Sequence, residues 1–82
     1  MQEIQLPELG IGENARVVGI NRASPLYTRF IDMGITLGAK IKCVGKSPGN
    51  SPRAYLIRGA VIAIRNKDAA AIIVKRSGEY GS

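Results

Sequence analysis

A chain of 82 residues is long enough for one domain and too short for two. Apolar residues make up 45% and charged residues 22%, close to globular averages, which argues against a wholly disordered chain. Twelve basic and six acidic side chains give a net charge of +6. This charge favours an anionic partner, which could be nucleic acid, a membrane surface or an acidic protein. Alternatively, the charge serves only to keep the protein soluble.

The residues that carry most enzyme chemistry are scarce. Histidine is absent, and the single cysteine, Cys43, falls on the predicted inward face of a strand. One cysteine cannot form an internal disulfide or, without histidine, a zinc or iron site. The six carboxylates are dispersed, and no glycine-rich phosphate loop is present. We therefore expect a non-enzymatic protein with no catalytic residues, metal site or cofactor.

The N-terminal sequence lacks the basic and apolar regions of a signal peptide. The longest apolar run, residues 69–74, is far shorter than the roughly 20 residues of a membrane span. These features predict a cytoplasmic protein without membrane insertion.

In the first half of the chain, Leu6 and Leu9 are candidate plugs for one end of a barrel. A strand is predicted over residues 15–21, where Gly19 indicates a bulge. Ser24 and Pro25 then predict a helix over residues 25–33, because serine is a good N-cap and proline suits the first helical turn. Gly34 is suited to the left-handed residue that ends the helix.

The sequence pattern in the second half of the chain predicts four more strands. Residues 39–45 alternate between apolar and mostly basic positions, residues 47–52 have turn composition, and residues 53–58 return as the partner strand. Residues 61–65 and 72–74 complete the set, with one tight helical turn between them. Five antiparallel strands and one helix predict a small, mainly β barrel over residues 1–76, followed by a flexible tail over residues 77–82.

The helix region and its flanks resemble the FeoA family, small cytoplasmic accessory proteins of bacterial ferrous iron transport. The resemblance rests on ordered blocks that cover nearly the whole chain: Leu6-Pro7-Glu8-Leu9 with Gly12, Leu26 to Ile35 followed by Leu37-Gly38, Ser47 to Pro52, and the strands from Tyr55 to Val74. Phe30, Leu37 and Asn50 depart from the family pattern without threatening turn or core preferences.

The resemblance implies an SH3-like barrel with a helix inserted after the first strand. It also implies a role in assisting or regulating ferrous iron uptake by binding FeoB, the membrane transporter with a cytoplasmic GTP-binding domain. Small-molecule substrates are not expected, and weak self-association stays open.

Two surfaces are candidates for partner binding. On the predicted outward side of the helix, Tyr27 and Arg29 belong to residue types enriched at binding hot spots, although ordinary helix surface is the alternative. The second candidate is the hairpin, with Lys40, Lys42, Lys46, Arg53 and Tyr55. If Lys46 and Arg53 pair across the turn, an anionic partner would relieve their repulsion; a lysine-protected strand edge is the alternative.

Two other functions remain open. A nucleic-acid-binding barrel would interleave aromatic and basic residues, and the few aromatic residues here form no evident stacking platform. A stand-alone relative of the C-terminal domain of metal-dependent repressors would share the same barrel type.

Overall fold

The computed structural model describes residues 2–77 of the chain. Its core architecture is one antiparallel sheet of six strands in the order β1-β6-β2-β3-β4-β5. The strands are β1 (Glu3–Gln5), β2 (Asn14–Ile20), β3 (Lys40–Lys46), β4 (Arg53–Ile57), β5 (Ala60–Ile64) and β6 (Ile72–Arg76). Two short helices are α1 (Tyr27–Asp32), which connects β2 to β3, and α2 (Asn66–Ala69), which connects β5 to β6.

The alternation of apolar and polar residues sets which face of each strand is buried. In β3, Ile41 and Cys43 are buried while Lys40 and Lys46 are exposed, as the sequence pattern predicted. The register of β2 against β6 shifts between Val17 and Gly19, so the bulge predicted at this glycine is present. The bulge lets the strand bend, which a small curved sheet needs.

Helix α1 is shorter than predicted at its N-terminal end. The Oγ of Ser24 accepts a hydrogen bond from the backbone N–H of Leu26 (3.2 Å), so this serine forms a turn ahead of the helix instead of capping a helix that starts at residue 25. The C-terminal end is as expected, with Gly34 at φ +94°. The N–H of Ile35 donates to the carbonyl of Phe30 (2.9 Å), which defines the end of the helix and turns both side chains into the core.

The two hairpins place β4 and β5 next to β3. The β3–β4 loop contains a 3-10 turn at Pro48–Asn50, and the register pairs Lys46 with Arg53, as anticipated. The β4–β5 turn consists of Arg58 and Gly59, at φ 51° and 80°. Positive φ at both positions is the signature of a type I′ turn, which suits a two-residue hairpin connection.

One hydrophobic core lies on the concave side of the sheet. Leu6 and Leu9, the predicted barrel plugs, are fully buried in it. Phe30 and Ile35 extend the core from α1, and Ala69 extends it from α2. The remaining buried apolar side chains come from the strands: Ile4, Ala15, Val17, Ile41, Cys43, Tyr55, Ile57, Ile64, Ile72 and Val74.

The fold class predicted from the sequence, a mainly β SH3-like barrel with a helix between its first long strands, is confirmed. Two elements were not expected: the three-residue strand β1, and the extent of the turn at residues 66–69, which forms a helix. The predicted tail began at Ser77, whose N–H donates to the carbonyl of Asn14 (2.9 Å). The rest of the predicted tail, residues 78–82, lies outside the described part of the chain. No helix within residues 2–77 has the length and apolar character needed to cross a membrane.

Candidate functional site

A cleft of about 290 Å³ opens between helix α1 and strand β5. Helix α1 and its flanks supply one wall, and β5 with the start of α2 supplies the other. The cleft combines an apolar floor with a charged rim, a composition typical of sites that bind a partner's apolar side chain. It is lined by Leu26, Arg29, Phe30, Met33, Ile62, Ala63, Ile64, Arg65 and Asp68.

The floor of the cleft is anchored by the core. Phe30 is buried, while Leu26 and Met33 pack against the core and remain half-buried. Leu26, Phe30 and Met33 follow one another at spacings of four and three residues across α1 and its two caps, so their side chains share one face of the helix. Burial of Phe30 in the core holds this face of α1 toward β5.

The other wall is an edge of the sheet. Strand β5 pairs with β4 alone among the described strands. Ile57 and Ala60 flank the two-residue turn and form a hydrogen-bonded pair, so hydrogen bonding to β4 alternates along β5 from this point. The backbone N–H and C=O groups of Val61 and Ala63 consequently point away from β4, and no other hydrogen bond within residues 2–77 engages them.

The rim of the cleft carries an excess of positive charge. The Nε of Arg65 lies 3.3 Å from the Oδ2 of Asp68, which neutralises one cation. Arg29 is exposed, and no carboxylate within residues 2–77 lies within ion-pair distance of it. The site therefore suits an extended peptide segment. The free strand edge could pair with its backbone, the apolar floor could hold one apolar side chain, and Arg29 could bind an acidic residue.

The structure separates the two helix residues predicted to bind a partner. Arg29 lies at the rim of the cleft. Tyr27 is half-buried beside it and outside the cleft lining, and the guanidinium carbon of Arg22 lies 5.8 Å from the centre of its ring. This cation–π contact gives Tyr27 a local structural partner.

The hairpin residues predicted as one surface are also divided. Lys40 and Lys46 are exposed and Lys42 is half-buried, whereas Arg53 is only 8% exposed. The expectation that Arg53 faces a partner is corrected by its contacts, because its side chain turns under the loop. Its Nη2 donates to the carbonyl of Leu9 (2.9 Å), and its Nη1 donates to the carbonyl of Pro7 and to the Oδ1 of Asn50 (both 3.1 Å).

Arg53 therefore acts as a structural tie between the N-terminal segment and the β3–β4 loop. It has no carboxylate partner within residues 2–77, and a buried cation is tolerated only where hydrogen bonds replace its hydration. Inward rotation also removes the repulsion predicted between Arg53 and Lys46, since only the lysine stays at the surface.

Tyr55 is likewise in the core and not on the binding surface. It is paired with Cys43 across the hairpin, is fully buried, and its hydroxyl has no hydrogen-bond partner within residues 2–77. Burial raises the pKa of the Tyr55 hydroxyl to about 12, the neighbouring Cys43 adds to the increase, and Arg53 opposes it. At neutral pH this side chain is a neutral core residue.

Residues of β5 and α2 were missed as site residues by the sequence analysis. Ile62, Ala63, Arg65 and Asp68 belong to segments that were correctly assigned as a strand and a tight turn. Their role depends on β5 being the edge strand next to α1, and strand order is not encoded in local sequence. Within residues 2–77, His, Cys, Asp and Glu side chains form no group of three that could hold a metal ion.

The comparison with protein families assigns residues 4–76 to the FeoA domain. The chain belongs to the FeoA family. This confirms the resemblance identified from the sequence blocks and associates the chain with ferrous iron transport. A search of proteins with curated function gave no match.

Solved structures of FeoA proteins share the fold over most or all of this chain. The FeoA-like protein of Clostridium acetobutylicum is 32% identical, with a TM-score of 0.88, and the match covers 100% of this chain and 95% of the other. An iron uptake regulatory protein (FeoA) is 26% identical, with a TM-score of 0.81 and coverage of 94% and 100%. The FeoA protein of Chlorobium tepidum is 27% identical, with a TM-score of 0.84 and coverage of 92% and 71%.

The same barrel occurs in metal-dependent repressors. A manganese-dependent transcriptional repressor is 22% identical, with a TM-score of 0.81, and the match covers 92% of this chain but only 42% of the repressor. At this identity the likeness shows a shared fold alone. The alternative of a stand-alone relative of the repressors' C-terminal domain rested on that same barrel type.

Proposed function

We propose that this FeoA-family protein is a non-enzymatic, cytoplasmic accessory protein of ferrous iron uptake that binds the FeoB transporter through the α1–β5 cleft. The proposal is carried by one observation: an apolar cleft lies directly beside an unpaired strand edge. Membership of the FeoA family supports the link to ferrous iron transport, and the cleft supplies a surface on which a protein partner could act.

The mode of binding follows from the geometry of the edge. An extended segment of the transporter's cytoplasmic part would pair with the outward backbone groups of Val61 and Ala63. Alternate side chains of an added strand point to one face, so one apolar side chain would enter the cleft above Phe30. An acidic residue of the segment would face Arg29. Backbone pairing supplies affinity, while the cleft and Arg29 supply selectivity.

The test is an NMR titration of the isotopically labelled chain with the soluble GTP-binding domain of the transporter. We expect amide shift changes confined to α1, β5 and the start of α2, and these changes should persist at moderate salt because the floor is apolar. Absence of any perturbation at protein concentrations of hundreds of micromolar would contradict docking to that domain. Perturbations confined to other strands would contradict the cleft.

Two variants make the test specific. Ala63→Pro removes an N–H that points away from β4, so it blocks strand addition while leaving the β4–β5 ladder paired. Arg29→Glu reverses the rim charge and should weaken binding about ten-fold, equivalent to ~1.4 kcal/mol. Lys46→Glu makes the same charge change at an exposed position outside the cleft and is the matched control.

A further inference from the structure

A row of like charges crosses the outer face of the sheet. The register places Arg16 of β2 opposite Lys40 of β3 on one side and opposite Lys75 of β6 on the other. All three side chains are exposed. Directly opposed residues of neighbouring strands have Cβ atoms about 5 Å apart, so three cations stand side by side.

The protein does not neutralise this row. The ion pairs within residues 2–77 involve Arg65 and Arg76, and none involves the three cations of the row. Glu3 is opposite Lys75 in the register but does not reach ion-pair distance. Like charges that face each other across strands are destabilising. An arrangement that costs stability in the free protein points to an external anion.

Exposed apolar side chains flank the row. Val18 follows Arg16 on the same outward face and is 38% exposed, and Leu37 is 71% exposed. Leu37 immediately precedes Gly38, whose carbonyl accepts a hydrogen bond from the Nη1 of Arg16 (2.9 Å). Arg16 thus has a lysine on either side in the sheet and exposed aliphatic residues near it along the chain and across the Gly38 hydrogen bond. We call this group the basic face: Arg16, Val18, Leu37, Lys40 and Lys75.

We propose that the basic face docks on the surface of an anionic phospholipid bilayer. The lysines and the arginine would contact lipid phosphates, and Leu37 would enter the boundary between headgroups and acyl chains. This goes beyond the proposed function, because the basic face shares no residue with the α1–β5 cleft. A chain held by this face would keep the cleft free for a protein partner.

The composition of the basic face favours lipid over nucleic acid. Proteins that bind single strands without sequence preference stack bases on aromatic side chains, and the basic face contains none. A phosphate backbone would use the cations but would leave Leu37 without an apolar environment. A bilayer surface satisfies both kinds of side chain.

Vesicle co-sedimentation with the full chain tests the proposal. The probes are phosphatidylcholine vesicles with and without 30% phosphatidylglycerol, a composition that represents about one anionic lipid in three. We expect binding only to the anionic vesicles. Lys40→Gln and Lys75→Gln should each weaken it about five-fold, the factor that corresponds to ~1 kcal/mol per cation near such a surface. The double variant should lose about 25-fold.

Matched variants separate the face from net charge. Lys67→Gln removes one exposed charge from α2 and should leave vesicle binding unchanged. Leu37→Gln should weaken binding even at high salt. Ile11→Gln, which changes an exposed aliphatic residue in the turn before β2, should not. Arg29→Glu, designed for the cleft, should retain vesicle binding, so failure of one proposal does not imply failure of the other.

Three results would overturn the lipid assignment. The first is a lack of binding to phosphatidylglycerol vesicles at 50 mM salt, where the Debye length exceeds ~10 Å and electrostatic attraction is strong. The second is an equal loss for Lys67→Gln and Lys40→Gln, which would reduce the effect to net charge. The third is tighter binding to duplex DNA or to an acidic polypeptide than to vesicles, with the same variants affected, which would assign the face to that partner.

Discussion

Replacing Tyr55 with phenylalanine should stabilise the protein. The hydroxyl is buried in the core without a hydrogen-bond partner within residues 2–77, and an unsatisfied buried hydroxyl costs about 1–3 kcal/mol. Phenylalanine keeps the ring and its packing, so the variant avoids that cost and creates no cavity. We expect a gain of about 1 kcal/mol at pH 7, seen as an increase of roughly 4–8 °C in Tm for a domain of this size.

The same substitution should remove an alkaline loss of stability. The pKa of Tyr55 is about 12 in the folded protein and about 10 when unfolded, so folding favours the protonated form. The stabilisation that comes from keeping Tyr55 protonated is complete below pH 10 and is lost as the pH rises from 10 toward 12. At pH 11 the wild-type protein should have lost roughly 1 kcal/mol through this group, so the advantage of Tyr55→Phe should roughly double.

Urea denaturation followed by circular dichroism at pH 7 and pH 11 measures both effects. Tyr27→Phe is the matched control and should retain the wild-type alkaline loss, because Tyr55 is still present. Tyr55→Phe should also bind the transporter domain like the wild type, since the residue has no exposed surface. A loss of more than about 1 kcal/mol at pH 7 would mean that the hydroxyl is hydrogen-bonded and would refute this reasoning.

Three further predictions can be tested by the same denaturation assay. Arg53→Met should destabilise by about 2–4 kcal/mol, because it leaves buried carbonyl acceptors without their charged donor. Gly34→Ala should lower the free energy of unfolding by about 1 kcal/mol or more, because its φ of +94° disfavours any Cβ and the added Cβ would lie 2.6 Å from Arg58. Gly12 has a φ of +89° with open space around it, so Gly12→Ala measures the backbone cost alone. Hydrogen bonds from Gly10 and, to a lesser degree, from Arg76 lower the pKa of Glu13 in the folded protein. The stabilisation from its carboxylate is therefore present above the unfolded pKa and is lost as the pH falls through the lower folded pKa. Glu13→Gln should remove this part of the loss of stability at acidic pH.

Local sequence was sufficient for most elements of the fold. Alternation in residues 39–45 predicted the buried Ile41 and Cys43, and Gly34 predicted the end of the helix, because both depend on neighbours along the chain. The start of α1 was predicted too early, since Ser24 can cap a helix or close a turn with similar hydrogen bonds. Strand β1 was missed because three residues carry too little periodicity to be recognised.

The candidate site was less accessible to sequence reasoning. Arg29 was identified from its residue type. Arg53 and Tyr55 were expected on the surface as part of the basic hairpin, because alternation within a short strand does not show which side chains a loop will cover. The cleft itself requires knowing that α1 packs beside β5 and that β5 has a free edge. Those are properties of strand order.

The sequence by itself determined most of the elements, the FeoA resemblance and the excess of positive charge, because each is carried by residue type and short-range spacing. Only the tertiary structure decided where that charge acts. Arg16, Lys40 and Lys75 are far apart in the chain and become neighbours through the pairing of β2 with β3 and β6. Contacts between distant segments also bury Arg53, which donates to the carbonyls of Pro7 and Leu9, whereas Leu37 stays exposed.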